Sequence, residues 1–263
     1  MTVKEVLEFM ETLAPRYMKM DWDNVGLLCG RRDKEVQKIL VALDPFEDVC
    51  REAAQWGADL IVTHHPLIFE APRSITDETS VGRSILFLTA HDIAAVNAHT
   101  NLDCAPGGVN DCLAAALGLE NARVLNPSGK DEQGRPWGLL RAGEVTPMTL
   151  ERFLERVKER LGCPGLRYVN SGRTVHRVAV GGGACGSAIL EAVECGCDTF
   201  VTADVKYNQF RDAHDLGLNL IDAGHFHTES PVCARLAEKL RAQFPEIQVE
   251  ISKKHGDCMK FFG

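Results

Sequence analysis

The residues of this chain best suited to chemistry are histidines and carboxylates that follow apolar segments. They form three groups along the sequence: His64–His65, His99 with Asp103, and His225, His227 and Glu229. Imidazole and carboxylate together suit zinc, iron or manganese. The set exceeds what one tetrahedral zinc needs, so it favours two metal ions about 3.5–4 Å apart. The alternative, polar residues scattered at strand ends, stays open at this point.

The doublet His64–His65 follows the run Leu60–Thr63, whose residues are apolar or β-branched, and precedes Pro66. Such a run, bounded by breakers, predicts a buried strand of a parallel sheet, and ligand sites lie at the carboxyl ends of such strands. Neighbouring strand residues point to opposite faces, but Pro66 favours a turn or extended conformation at His65. Both rings could then converge. Alternatively, one histidine is a structural strand-end residue and the other is solvated.

His225 and Glu229 have a spacing that suits chelation. They are four residues apart at the start of a predicted helix, which places them on one helical face.

Strands that alternate with helices surround these residues and predict an α/β fold with a mostly parallel sheet. The predicted strands are 38–44, 60–63, 93–98, 138–143, 175–180, 198–202, 219–223 and 246–252. The predicted helices are 3–13, 46–56, 80–91, 109–117, 149–161, 187–194, 207–216 and 230–244.

The second half of the chain repeats the first. A shift of 139 residues without a gap places 38–41 on 177–180 and 57–63 on 196–202, and a gapped continuation pairs Ala98–His99 with Gly224–His225. We therefore expect two duplicated βαβ-containing lobes, residues 1–125 and 126–263, with a shared metal-binding crevice at the strand carboxyl ends. The polar segment 126–135 would separate them. The alternative is that any two βαβ units look alike at this level.

Composition narrows the class of function. The 263 residues carry a formal net charge of −8 and no basic stripe, which disfavours binding to nucleic acid or an anionic membrane. Acidic residues interrupt the N-terminal segment, so it is not a secretory signal, and no apolar run reaches the ~18 residues of a membrane span. The expected location is the cytoplasm, and the expected partner is a small-molecule substrate.

Several segments resemble the NIF-three-like dinuclear-metal-centre proteins, many of which bear the name GTP cyclohydrolase I type 2 homologue. They are Asp23–Leu28, Val62–Phe69, His99–Asp103, Pro106–Asp111, Gly134–Arg135, Val201–Tyr207, Ile221–His225 and Thr228–Glu229. The resemblance covers almost the whole chain. It implies two α/β lobes, a toroidal homohexamer and two divalent metal ions per subunit.

By motif position, the resemblance implies the metal ligands His64, His65, Asp103, His225 and Glu229. His99 and His227 become near neighbours of the metals. The domain that some relatives insert between the lobes has no room here. Where the family often has a histidine after Lys-Tyr, this chain has Asn208, which places any acid/base role of that histidine in doubt. Lys206 either faces a phosphate or is a solvated lysine.

Two functions remain open. The first is a metal-dependent hydrolase of the GTP cyclohydrolase type, acting on GTP or a nucleotide-like small molecule, with His99 or His227 moving protons. The second is a metal carrier or scaffold without turnover, because ligands establish binding and not catalysis. No organic cofactor site is expected. The glycine-rich segment Gly181–Gly186 lacks the Lys-Ser/Thr of a Walker motif and is expected to form a tight turn between strand and helix.

Overall fold

A computed structural model describes residues 1–262, which divide into two compact units. The first unit comprises Met1–Leu102 and Cys233–Gly256, and the second comprises Asp103–Val232 and the segment from Asp257 onward. The predicted boundary at 125/126 stays a prediction. Within residues 1–262, none of the helices combines the length and apolar character needed to cross a bilayer.

The first unit is built on a sheet whose strand order is β1-β4-β3-β2-β13. The strands are β1 (Gly26–Cys29), β2 (Lys38–Ala42), β3 (Leu60–Thr63), β4 (Ala94–Asn97) and β13 (Gln248–Ile251). The helices are α1 (Val3–Leu13), α2 (Glu47–Trp56), α3 (Ser80–Ala90), α4 (Thr100–Cys104), which runs into the second unit, and α10 (Pro231–Gln243), which begins there. Only β1 pairs in the antiparallel direction among these described strands.

Strand β3 confirms the prediction of a buried parallel strand. All four of its residues are buried, and it pairs in parallel with β2 on one side and β4 on the other. Leu40 and Ile61 pack with Val49 and Leu88 of the flanking helices in the core of this unit. Because β2, β3 and β4 are parallel, their carboxyl ends meet at one edge of the sheet.

The second unit is built on a mixed sheet with strand order β5-β8-β10-β11-β12-β9 and a separate hairpin, β6-β7. The strands are β5 (Glu120–Leu125), β6 (Gly129–Lys130), β7 (Pro136–Trp137), β8 (Leu140–Met148), β9 (Arg167–Val169), β10 (Val175–Val180), β11 (Thr199–Thr202) and β12 (Asn219–Asp222). The helices are α5 (Val109–Leu117), α6 (Leu150–Leu161), α7 (Ile189–Glu194), α8 (Tyr207–Asp215) and α9 (His225–Glu229). Alternate strand residues enter different cores: Val201 packs with Phe153, and Phe200 packs with Ile189.

The two units share a hydrogen-bonding detail at positions related by the 139-residue shift. The Asp59 carboxylate accepts a hydrogen bond from the Lys38 backbone N–H at 3.0 Å. The Asp198 carboxylate accepts one from the Arg177 backbone N–H at 2.7 Å. Each aspartate thus ties the N-terminal half of one strand to the turn before the next.

The gapped part of the repeat is wrong by one residue. Strand register pairs Thr63 with Asn97 in the first unit and Thr202 with Asp222 in the second. Because Thr63 and Thr202 correspond under the shift, Ala98 corresponds to Ala223 and not to Gly224.

Arg141 is an unexpected core residue of the second unit. Its side chain is 1% exposed and forms a bidentate pair with the Asp111 carboxylate, at 2.7 and 3.0 Å. The remaining guanidinium protons are donated to backbone carbonyl groups, including those of Gly138 and Ala105. The charge is therefore fully partnered in the interior, as a buried guanidinium requires.

Candidate metal centre

Three imidazoles converge at the edge where β3 and β4 end. His64, His65 and His99 each offer a ring nitrogen, and these atoms lie within 4.8 Å of one another. The ring centroids are 4.9 to 5.6 Å apart. His64 is fully buried, and the other two rings are mostly buried. The turn after β3 therefore does bring both rings of the doublet together, and we call these residues the histidine cluster.

Each ring of the histidine cluster is oriented through its Nδ1 atom. The Nδ1 atoms lie at hydrogen-bond distance from acceptors: the Ala98 carbonyl for His64 (2.9 Å), Asp44 for His65 (2.6 Å) and Asp23 for His99 (2.8 Å). A ring that donates its Nδ1 proton carries its lone pair on Nε2. This is the arrangement in which proteins present histidine to a metal ion.

Asp23 is an acceptor that stays ionised. Burial by itself would raise the pKa of this carboxyl group, but hydrogen bonds from His99 and Thr100 outweigh it and lower the pKa to about 2. The carboxylate also accepts the backbone N–H of Thr100 at 2.9 Å. Asp23 therefore fixes both the His99 ring and the backbone that follows it.

A second group of metal-competent residues lies in the second unit. His225 Nε2 is 3.0 Å from a carboxylate oxygen of Glu229, and the spacing of four residues on α9 places them on one face, as predicted. His225 Nδ1 lies 2.7 Å from the Asp204 carboxylate. Asp204 occupies a left-handed conformation with φ of 51°, which is uncommon for a residue other than glycine. We call Asp103, His225 and Glu229 the mixed cluster.

Two buried carboxylates approach each other within the mixed cluster. Asp103 and Glu229 are 6% and 4% exposed, and each offers an oxygen within 4.8 Å of the other's. Like charges at this separation in the interior repel strongly. A divalent cation would offset that repulsion, so the donor chemistry fits a metal site.

The glycine-rich segment after β10 lies against the mixed cluster. Gly183 has φ of +64°, and a Cβ atom there would lie 2.2 Å from Glu229 Oε1 and 3.1 Å from His225 Nε2. Its backbone N–H donates to Thr228 Oγ1 at 3.0 Å. The segment continues through a 3₁₀ turn (Gly186–Ala188) into α7. The expected strand-to-helix turn is confirmed, and it leaves space for the two side chains.

The remaining candidate residues have other surroundings. His227 Nδ1 is 3.2 Å from the Leu161 carbonyl oxygen, and its Nε2 is 3.4 Å from the Asp257 carboxylate. Lys206 is exposed at the residue before α8. His99, in contrast, belongs to the histidine cluster itself. The roles assigned to all three stay predictions.

Sequence reasoning did not assign roles to Asp23, Asp44, Asp204 or Gly183. Asp44 follows strand β2 and Asp204 follows strand β11, so both are carboxylates at strand ends, like the candidate residues that the sequence does mark. The 139-residue shift places His65 on Asp204, and this correspondence could have identified Asp204.

The fold and these residues define a mixed α/β protein with histidine and carboxylate clusters suited to metal binding. The chain belongs to the Duf34/NIF3 (NGG1p interacting factor 3) family, whose model matches residues 1–257. This confirms the resemblance found in the sequence.

Individual relatives match over nearly their full length. A Clostridium perfringens protein named GTP cyclohydrolase 1 type 2 homolog is 36% identical, with 99% of this chain and all of that protein covered. A crystal structure of a Bacillus cereus protein related to NIF3 superposes with a TM-score of 0.93 at 28% identity, covering 100% of this chain and 99% of that one. Reduced HcgD from Methanocaldococcus jannaschii gives 0.79 at 32% identity, covering 97% and 98%.

Proposed function

We propose that the chain binds two divalent metal ions, zinc, iron or manganese, and acts as a metal-dependent hydrolase. The proposed ligands are His64, His65, Asp103, His225 and Glu229. The observation that carries the proposal is the orientation of the histidines: His64, His65, His99 and His225 all have an acceptor at Nδ1. Because Nδ1 of each of the four rings faces an acceptor, Nε2 is the ring nitrogen that each has available for a metal ion or a proton.

The chain's own residues have separable tasks in this proposal. Asp44 and Asp204 hold the rings of His65 and His225 at their Nδ1 atoms. Glu229 and Asp103 supply the negative charge that neutral imidazoles lack.

When bound, divalent ions of this kind lower the pKa of a water ligand and so provide a nucleophile at neutral pH. His99, held by ionised Asp23, is placed to accept a proton at Nε2. We propose GTP or a nucleotide-like molecule as substrate, supported by the name of the 36% identical relative. In a cyclohydrolase reaction, water adds at C8 of the guanine ring, the ring opens, and hydrolysis of the formyl group releases formate.

Metal content and formate release test the proposal together. We expect about two ions per chain in the purified protein, and loss of both metal and formate release in His64→Ala and in Glu229→Ala. His214→Ala is the matched control, because that ring is 60% exposed and bonds to Asp215 rather than to either cluster. Wild-type metal content in either ligand variant contradicts the metal site. Metal-loaded wild type that releases no formate from GTP contradicts the reaction.

One observation favours a metal carrier as the second candidate. The side chains of His225 and Asp204 are 33% and 47% exposed, so solvent and an acceptor can reach this part of the site. A carrier should deliver its metal to an acceptor chelator within minutes, whereas an enzyme should retain metal through many turnovers. Timed transfer to a coloured chelator separates the two.

Two further expectations join the proposal. The family resemblance supports a homohexamer, which light scattering would detect as six times the 28.9 kDa chain mass. The matched bonds of Asp59 and Asp198 support the duplication of the lobes.

A further inference from the structure

Two large aromatic side chains are exposed beside the histidine cluster. Trp22 is 62% exposed and Phe69 is 53% exposed. Their ring centroids are 5.7 Å apart, and they lie 6.1 and 6.2 Å from the His99 centroid. Exposed apolar rings contribute little to folding, so their placement calls for another explanation.

The backbone next to each ring is tied down by polar side chains. Asp23, which follows Trp22, binds His99 and Thr100. Asn24 donates from Nδ2 to the carbonyl oxygen of Ile68, the residue before Phe69, at 2.7 Å. The same short segment that orients His99 therefore also joins the two aromatic residues to each other. Surface rings on an unanchored loop would have no such connections.

We propose that Trp22 and Phe69 form a platform that binds a planar heteroaromatic ring next to the histidine cluster. The two rings meet at 55°, so a flat ligand stacks on the Trp22 face and meets Phe69 at an angle. Both contacts are preferred aromatic geometries. This proposal rests on the proposed function, because it places the ligand at the same site. It adds that Trp22 and Phe69 recognise the planar ring of the ligand rather than its sugar or phosphate.

Stacking on an aromatic side chain depends on a π face and accepts different bases. Its loss on alanine substitution corresponds to about 10- to 100-fold in affinity. A ligand that lacks the flat ring should lose the same amount against the intact protein. The contact can therefore be removed in two independent ways, by omitting the ligand's ring or by substituting Trp22.

Isothermal titration of the 263-residue protein with guanosine monophosphate and with ribose 5-phosphate compares a ligand that has the flat ring with one that lacks it. The same pair of ligands is titrated into the Trp22 variants. We expect wild type to bind guanosine monophosphate at least about 10-fold more tightly than ribose 5-phosphate. Trp22→Ala should abolish that difference, Trp22→Phe should retain part of it, and Phe69→Ala should reduce it. Tyr168→Ala, which removes an aromatic residue that is 52% exposed on the edge strand β9, is the control.

The proposal is overturned if the two ligands bind equally, if neither binds, or if Trp22→Ala leaves the ratio unchanged. A change of particle size in Trp22→Ala with an unchanged ratio would assign the rings to a subunit contact instead. Titrations are run with zinc-loaded and with chelator-treated protein, since stacking on Trp22 requires no metal. A protein that keeps the Trp22-dependent ratio but releases no formate from GTP refutes the hydrolase and leaves the platform intact.

Discussion

Gly183→Ala is the substitution whose effect follows most directly from the geometry of the mixed cluster. The added Cβ would lie 2.2 Å from Glu229 Oε1. Because ordinary contacts begin near ~3.4 Å, the carboxylate must retreat by about 1 Å. A metal–oxygen bond is only about 2.0–2.2 Å long, so a shift of that size removes the ligand. We expect metal affinity to fall by at least ~10–100-fold, the effect of disturbing residues that orient ligands.

The backbone cost of this substitution needs its own control. Alanine in the left-handed region costs ~1–2 kcal/mol, which shifts the melting temperature by roughly 2–4 °C per kcal/mol. Gly217→Ala introduces the same strain at φ of +69°, with no atom within 4 Å of the new Cβ. Both variants should therefore lose similar thermal stability, and only Gly183→Ala should lose metal.

The assay is competition for zinc against a chelator of known affinity, with circular dichroism to verify folding. Wild-type zinc affinity in a folded Gly183→Ala protein would refute the inferred position of the Glu229 carboxylate. Equal loss of zinc in both variants would attribute the effect to backbone strain and not to the ligand.

Three further predictions concern residues that support the site or the core. Asp44→Ala removes the acceptor of His65 Nδ1, so zinc affinity in the same competition assay should fall ~10–100-fold. The pKa of Asp23 lies at about 2 against an ordinary 3.8. This depressed pKa stabilises the metal-free fold by ~2 kcal/mol above pH ~4. In urea unfolding of wild type, that contribution to the free energy of unfolding should disappear as the pH falls from ~4 to ~2. Asp23→Asn should lack this pH-dependent contribution. Arg141→Met removes the donor of buried backbone carbonyl groups such as that of Ala105 and should cost ~1–3 kcal/mol in urea unfolding, whereas Arg211→Met, at a 67% exposed position, should change stability by less than ~0.5 kcal/mol.

Sequence patterns predicted well those helices and strands whose own apolar residues mark which side of the segment is buried. The run Leu60–Thr63 is apolar or β-branched along its length and is a strand with the same bounds, and helix α5 was predicted at Val109–Leu117 without error. Apolar runs and helical periodicity are properties of a single segment, so they can be read without knowing its neighbours.

Elements that depend on a neighbouring strand were missed. Residues 126–135 were predicted as a polar boundary, but part of this segment forms the hairpin β6-β7, and β5 and β9 were not expected at all. Most residues of β5 and β9 are exposed, so no apolar alternation marks them, and pairing with β8 and β12 creates the strands. Strand β8 continues to Met148, beyond the predicted end at residue 143, because β10 pairs along that extension.

The residues of the candidate site show the same distinction between what a single segment determines and what depends on its neighbours. Histidines at strand ends are recognisable by residue type, and His64, His65 and His99 do converge. Asp23 and Asp44 act through hydrogen bonds to those rings, from 76 and 21 residues away in the sequence. These hydrogen bonds could not be predicted from residue type or local spacing, because they depend on how the strands pair in the folded chain.

Diffraction from crystals of metal-loaded protein, recorded at the zinc, iron and manganese absorption edges, tests the central claim most directly. The account predicts two anomalous peaks per chain, separated by about 3.5–4 Å, with His64, His65, Asp103, His225 and Glu229 as ligands. A single peak, or peaks bound by the histidine cluster without Glu229 and Asp103, would contradict it.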